Sequence, residues 1–105
     1  MNRKFIGLAL LSALVISAPA MAGTAKAMKG AELAPMAKIT LSVARATALK
    51  AHPGKITDQE LEKEAGGTGL RYSFDIMSGG KTYEVGVDAK TGAVLENKKE
   101  GKNPD

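Results

Sequence analysis

Few side chains in this 105-residue chain could do chemistry. His52 is the single histidine and cysteine is absent. One chain therefore supplies no pair of imidazoles for zinc, no thiolate nucleophile, no thiolate metal site and no disulfide. Ser42, Ser73 and Ser78 could each be matched with His52 in a Ser-His-Asp set. None of them lies in the G-x-S-x-G turn that exposes a nucleophilic serine. His52 sits at the end of a helical pattern, where a cation meets the negative end of the helix dipole. The expectation is no enzyme activity and no cofactor.

Carboxylates are the second candidate group. Asp58, Glu60, Glu62 and Glu64 alternate along one stretch, and an extended backbone would place all four on one face. Asp75 and Glu84 fall on the same side further across a sheet. Such a surface could hold a hard cation such as Ca²⁺ through oxygen ligands. Strands do not wrap an ion as a loop does, however, and Arg71 and nearby lysines can neutralise the acids locally. A solvated outer face is the preferred reading, with no metal site, and the four carboxylates are kept as the alternative. Gly66-Gly67-Thr68-Gly69 and Gly79-Gly80 lie between strand patterns, so they read as turns and not as phosphate cradles. Met36 and Met77 are isolated, which gives no copper-handling cluster.

The elements that must position these residues are legible in the hydrophobic pattern. Leu70, Tyr72, Phe74 and Ile76 alternate with Arg71, Ser73 and Asp75, and Tyr83, Val85 and Val87 alternate with Glu84, Gly86 and Asp88. Period two signals strands, and Gly79-Gly80 and Thr91-Gly92 supply the reversals of an antiparallel meander ending in Ala93–Leu95. Thr40 is a suitable N-cap for a helix from Leu41 to Ala51, which Pro53-Gly54 would stop. Leu41, Ala44, Ala48 and Ala51 form its contact face, with Ser42, Arg45 and Lys50 pointing away. Lys55 to Ala65 could be a short helix capped by Thr57 and Glu60, but pairing arguments favour a strand.

A four-residue loop Gly66–Gly69 would set Leu61 opposite Phe74, Lys63 opposite Tyr72 and Glu64 opposite Arg71. The next hairpin sets Phe74 opposite Val85, Ile76 opposite Tyr83 and Arg71 opposite Asp88. The last connection sets Ala93 opposite Val87 and Leu95 opposite Val85. A row Leu61, Phe74, Val85, Leu95 then crosses the sheet beneath Ala44 and Ala48. Ile56 has the wrong parity relative to Leu61, so a bulge is expected near Thr57 to Gln59.

The chain begins with Arg3 and Lys4, an apolar run from Phe5 to Ile16 and a small-x-small site at Ala20–Ala22. This is the pattern of an export signal at residues 1–22, cleaved after Ala22, and its apolar core is too short to serve as a membrane anchor. Cleavage leaves 13 basic against 11 acidic residues, a net charge of +2 in place of +4. That low charge, with no interleaved aromatics, argues against nucleic-acid binding. Residues 23–38, rich in Ala, Gly and Lys, read as a flexible arm with at most one helical turn at Ala31–Ala34. Residues 39–97 are the domain, and 98–105 a disordered tail.

A helix ending in ALKAHPGKI, an acidic strand, then LRYSFDI, KTYEVGVDAKTG and AVL resemble the PepSY domain, a module also found in propeptides of secreted metallopeptidases. The likeness covers Ile39 to about Glu96 and rests on Pro53-Gly54-Lys55, Tyr83-Glu84-Val85 and Val87-Asp88-Ala89-Lys90-Thr91-Gly92. It implies a small α+β fold, one main helix packed on an antiparallel meander of three to four strands. It also implies residence in the periplasm or outside the cell, no catalytic residues, and a role in restraining peptidases, here in trans because no peptidase domain follows. The expected partner is an extracytoplasmic protein such as a peptidase. It would be bound by strand addition at an outer strand, Ala93, Val94, Leu95 and Glu96 or the acidic Ile56–Glu64. A periplasmic cation or small-ligand binder using the acidic face is the alternative.

Overall fold

The computed structural model describes residues 27–101. A 3₁₀ helix, η1 (Ala31–Met36), leads into helix α1 (Leu41–Ala51), and four strands follow: β1 (Lys55–Lys63), β2 (Leu70–Ser78), β3 (Lys81–Asp88) and β4 (Val94–Lys99). The strands form one antiparallel sheet in sequence order, and α1 covers one face of it. This is the α+β architecture expected. Thr40 caps α1 by accepting from Val43 N–H at 3.1 Å, and the helix stops at His52, before Pro53.

Ala44 and Ala48 are fully buried against Phe74, Ile76, Val85, Val87 and Leu61. Alanine brings the helix backbone close to the sheet but buries little area. The large strand residues therefore carry the burial, each worth about 1.5–3 kcal/mol. Tyr72 closes the same core and donates its hydroxyl to Ile39 O at 2.7 Å.

The central hairpin has the expected register, with Phe74 opposite Val85, Ile76 opposite Tyr83 and Arg71 opposite Asp88. The expected irregularity in β1 is also present, between Ile56 and Asp58. The outer pairings differ. Leu61 lies opposite Tyr72, Gln59 opposite Phe74 and Glu62 opposite Arg71. On the other side Val94 lies opposite Val87 and Asn97 opposite Val85, with a shift between Gly86 and Val87. The row across the sheet is thus Gln59, Phe74, Val85, Asn97, with a buried amide where leucine was expected.

Arg45 explains how that amide is tolerated. Its guanidinium donates to Gln59 Oε1 at 2.6 Å, so Arg45 turns toward the sheet instead of away. A buried polar group with a partner avoids most of its desolvation cost. Both termini of the domain are also more structured than expected. Residues 29–37, read as a tether, lie on β1, and β4 runs to Lys99, with Glu100 N–H donating to Thr82 O at 2.9 Å.

Candidate functional site

Three features compete for a functional role: the sheet face away from α1, the knot around Asp88, and the two sheet edges.

Alternation brings Asp58, Glu60 and Glu62 of β1, Asp75 of β2 and Glu84 of β3 to the face opposite the helix, with Glu64 just past β1 and Glu100 just past β4. With Ser73 they line an open hollow of about 290 Å³. Partial burial and neighbouring carboxylates raise the pKa of Glu62, Glu64, Asp75 and Glu84. Glu62 is raised by partial burial first and then by Glu60, against a 2.7 Å hydrogen bond from Ser73. Glu64 is raised by its hydrogen bond with Glu62 and by that group's charge. Asp75 and Glu84 are raised by burial and then by neighbouring carboxylates. The structure therefore gathers the four sequence-predicted carboxylates, Asp58, Glu60, Glu62 and Glu64, on one face. Among the described residues, however, no three acidic or histidine side chains are placed to hold a metal ion.

Asp88 is the opposite case. It is 1 % exposed yet accepts from Thr68 N–H at 2.6 Å, Thr68 Oγ1 at 2.8 Å, Lys90 N–H at 2.8 Å and Thr91 N–H at 3.0 Å. Burial alone would raise its pKa. Four donors outweigh that and hold the carboxyl well below the usual aspartate range. Every donor is spoken for by a loop, so Asp88 ties the Gly66–Gly69 turn to the turn after β3. Gly67, at φ +55°, is needed here, since a Cβ would come within 2.3 Å of Asp88 Oδ2. Sequence reading placed Asp88 opposite Arg71 at the end of a strand and in the string Val87–Gly92. An aspartate followed by Ala89-Lys90-Thr91-Gly92 suits an Asx-type turn, but nothing local pointed to Thr68.

Beside this knot, Arg71 is nearly buried and spans Glu96 Oε1 at 3.0 Å and Ala65 O at 3.1 Å. Its Nε has no partner. Gly86 leaves room for it, since a Cβ there would lie 3.0 Å from the guanidinium. His52 stacks on Tyr83 with ring centroids 3.9 Å apart, and its Nδ1 lies 3.1 Å from Asn97 Oδ1. Asn97 Nδ2 in turn donates to Ala51 O at 3.2 Å. The histidine thus sits at the helix end as expected, but it serves as a packing and hydrogen-bonding link between α1, β3 and β4. Among the described residues no serine is hydrogen-bonded to it, and Ser73 donates to Glu62 on the other face of the sheet.

The edges are unequal. On β1 an extended piece of the chain is already seated: Lys29 N–H donates to Gln59 O at 3.3 Å and Leu61 N–H to Lys29 O at 2.8 Å. On β4, Glu100 N–H points inward to Thr82. Strand alternation then turns the N–H groups of Asn97 and Lys99 outward, and no described segment pairs with that side. Of the four residues proposed from sequence as an edge, Ala93 belongs to the turn, donating to Thr91 Oγ1 at 3.2 Å and accepting from Asp88 N–H at 2.8 Å. Val94, Leu95 and Glu96 open β4. Glu96 is held by Arg71 and Lys98, and Leu95 packs near Gly67.

A family model described as PepSY, peptidase propeptide and YPEB domain, matches residues 38–98. The chain belongs to the PepSY family. The match spans α1 and almost all of the sheet, the same stretch that carried the resemblance in sequence. PepSY modules are of the peptidase-propeptide type and generally non-catalytic. Neither the curated proteins nor the solved structures contain a match. No described helix is long and apolar enough to cross a membrane. The signal pattern at residues 1–22 lies outside the described residues.

Proposed function

We propose that this PepSY domain is an exported, non-enzymatic binding module that restrains an extracytoplasmic peptidase in trans by offering an edge strand. The supporting observation is the β4 edge. Its outward N–H groups at Asn97 and Lys99 have no described partner strand, and a family of peptidase-propeptide type is consistent with a partner whose cleft binds extended chains. Main-chain pairing supplies affinity in this mode, so no catalytic side chain is required. The lack of converging ligands on the acidic face weighs against the cation-binding alternative.

The test is inhibition kinetics. The exported chain, purified from its host after processing, is titrated against that host's secreted metallopeptidases, alongside Lys99→Pro. Proline removes one outward donor and fills the edge, while the inward ladder bonds of Lys98 and Glu100 are kept. Inhibition by the wild type that is lost in a folded Lys99→Pro supports the reading. Equal inhibition by both removes β4 from it, and no inhibition of any extracytoplasmic peptidase removes the function.

A further inference from the structure

We propose that the outer edge of β1 is a docking site for an extended cationic peptide that pairs parallel to the strand, in the place now held by the chain's own Lys29 and Gly30. This goes beyond the β4 reading and does not depend on it.

The seated segment shows what the edge accepts. Lys29 bridges Glu60 in parallel, with hydrogen bonds to Gln59 O and from Leu61 N–H, and its Nζ lies 3.8 Å from Asp58. A main-chain slot and an acidic row are therefore used together, by a lysine. The arm uses only the start of that row. Gly30 turns at φ +80° into η1, so the chain leaves the edge before it reaches Glu62 and Glu64. Those two acids hydrogen-bond to each other. A peptide that stays extended past the Gly30 position would bring alternate side chains along Asp58, Glu62 and Glu64, with basic residues favoured at each.

The arm is held lightly enough to be displaced. No residue of η1 is fully buried, Met28 and Leu33 are only partly buried where they pack against the core, and the Lys29 side chain is 72 % exposed. The arm's attachment persists after release, because Lys38 and Ile39 N–H groups both donate to Ala89 O. Gly30 is the weak point: a Cβ there would stand 1.9 Å from Leu61 O. Any larger residue must push the arm off the edge. The arm thus acts as an internal competitor, lowering apparent affinity by the fraction of molecules in which it is docked.

The experiment uses the exported chain and a fluorescein-labelled peptide of alternating lysine and valine, with a glutamate-valine peptide as control. Anisotropy gives affinity, and hydrogen exchange at the Leu61 amide reports occupancy of the slot. The lysine peptide is expected to bind with strong salt dependence, and Gly30→Val to tighten it about tenfold while exposing the Leu61 amide. Added peptide should protect that amide again. Glu62→Lys with Glu64→Lys should weaken binding at least tenfold, and Lys99→Pro should leave it unchanged. If Gly30→Val does not fold, Lys29→Pro, which removes the donor to Gln59 O, carries the same comparison. Equal binding of the glutamate peptide, no binding of either, or peptide binding without protection of Leu61 would each overturn the proposal. So would a released arm with unchanged affinity, or a Leu61 amide still protected in Gly30→Val.

Discussion

Replacing Asp88 by asparagine tests whether one buried carboxylate holds the two loops at the open end of the sheet. In the native domain Oδ1 takes three donors and Oδ2 takes the Thr68 N–H. An asparagine that keeps the three-donor oxygen must turn its NH₂ toward the Thr68 N–H, donor against donor. The three remaining bonds become neutral instead of charge-assisted. Losing one charge-assisted bond costs about 1.5–3 kcal/mol, and a buried unsatisfied donor adds to it, so a loss of about 3 kcal/mol is expected. For a domain of this size that is a fall of about 15 °C in Tm.

Acid sensitivity makes the test sharper. The folded pKa of Asp88 is lowered, so its contribution is fully present above the ordinary aspartate value of about 4 and fades as pH falls toward the folded value. Thermal melts of wild type and Asp88→Asn from about pH 2 to 7 should show the difference narrowing below about pH 4. Asp75→Asn is the control, because Asp75 has a raised pKa and its amide should be neutral or stabilising. A wild-type Tm for Asp88→Asn, or an acid limb of unchanged shape, would refute the assignment of Asp88 as the loop knot.

Three further outcomes follow from the same geometry. Glu62, Glu64, Asp75 and Glu84 all have raised pKa values. Their ionisation therefore disfavours the fold, and stability should rise as pH falls from neutrality toward their unfolded values near 4, before the Asp88 loss sets in. Denaturant midpoints across that range should show a maximum on the acid side, and Glu62→Gln should flatten its neutral limb. Arg71→Met should cost under about 1 kcal/mol, since it removes a buried charge and its unpartnered Nε together, whereas Glu96→Ala should cost about 3 kcal/mol by leaving that charge unpaired; chemical denaturation of the two variants decides the order. Millimolar Ca²⁺ should leave Tm unchanged, and a clear rise would restore the cation-binding reading.

How far the sequence could be read differs by element. The helix and central hairpin were legible because their signals are local: a Thr40 cap, a Pro53 stop, strict alternation, and a Gly79-Gly80 turn short enough to fix its own register. The outer pairings were not, because distant residues set them. Asp88 draws Thr68 inward and Glu64 N–H closes on Gly69 O at 3.1 Å. The first loop therefore begins two residues earlier than Gly66, and β1 slides by two against β2. An even slip preserves every inward and outward face. The acidic face was consequently correct while the row beneath α1 was not, and Gln59 became a core residue through an arginine fourteen positions away.

The same two-residue slip bears on function. With Leu61 opposite Phe74, as the sequence suggested, the Gln59–Leu61 edge would sit two residues further along β2, out of step with the core against which the arm's own Met28 and Leu33 pack. In the observed register, Leu61 N–H and Gln59 O face outward where Lys29 can reach both, and Asp58 lies beside the lysine. The arm covers a strand edge that would otherwise invite unselective pairing, a common protection for exposed sheets. β4 has no such cover among the described residues. Its short length, bulge and basic Lys98 and Lys99 are the devices that restrain it. One edge is covered by the chain's own arm and the other is restrained by length, bulge and charge, so the two proposed pairings concern different strands. Proline at Lys99 and valine at Gly30 separate them.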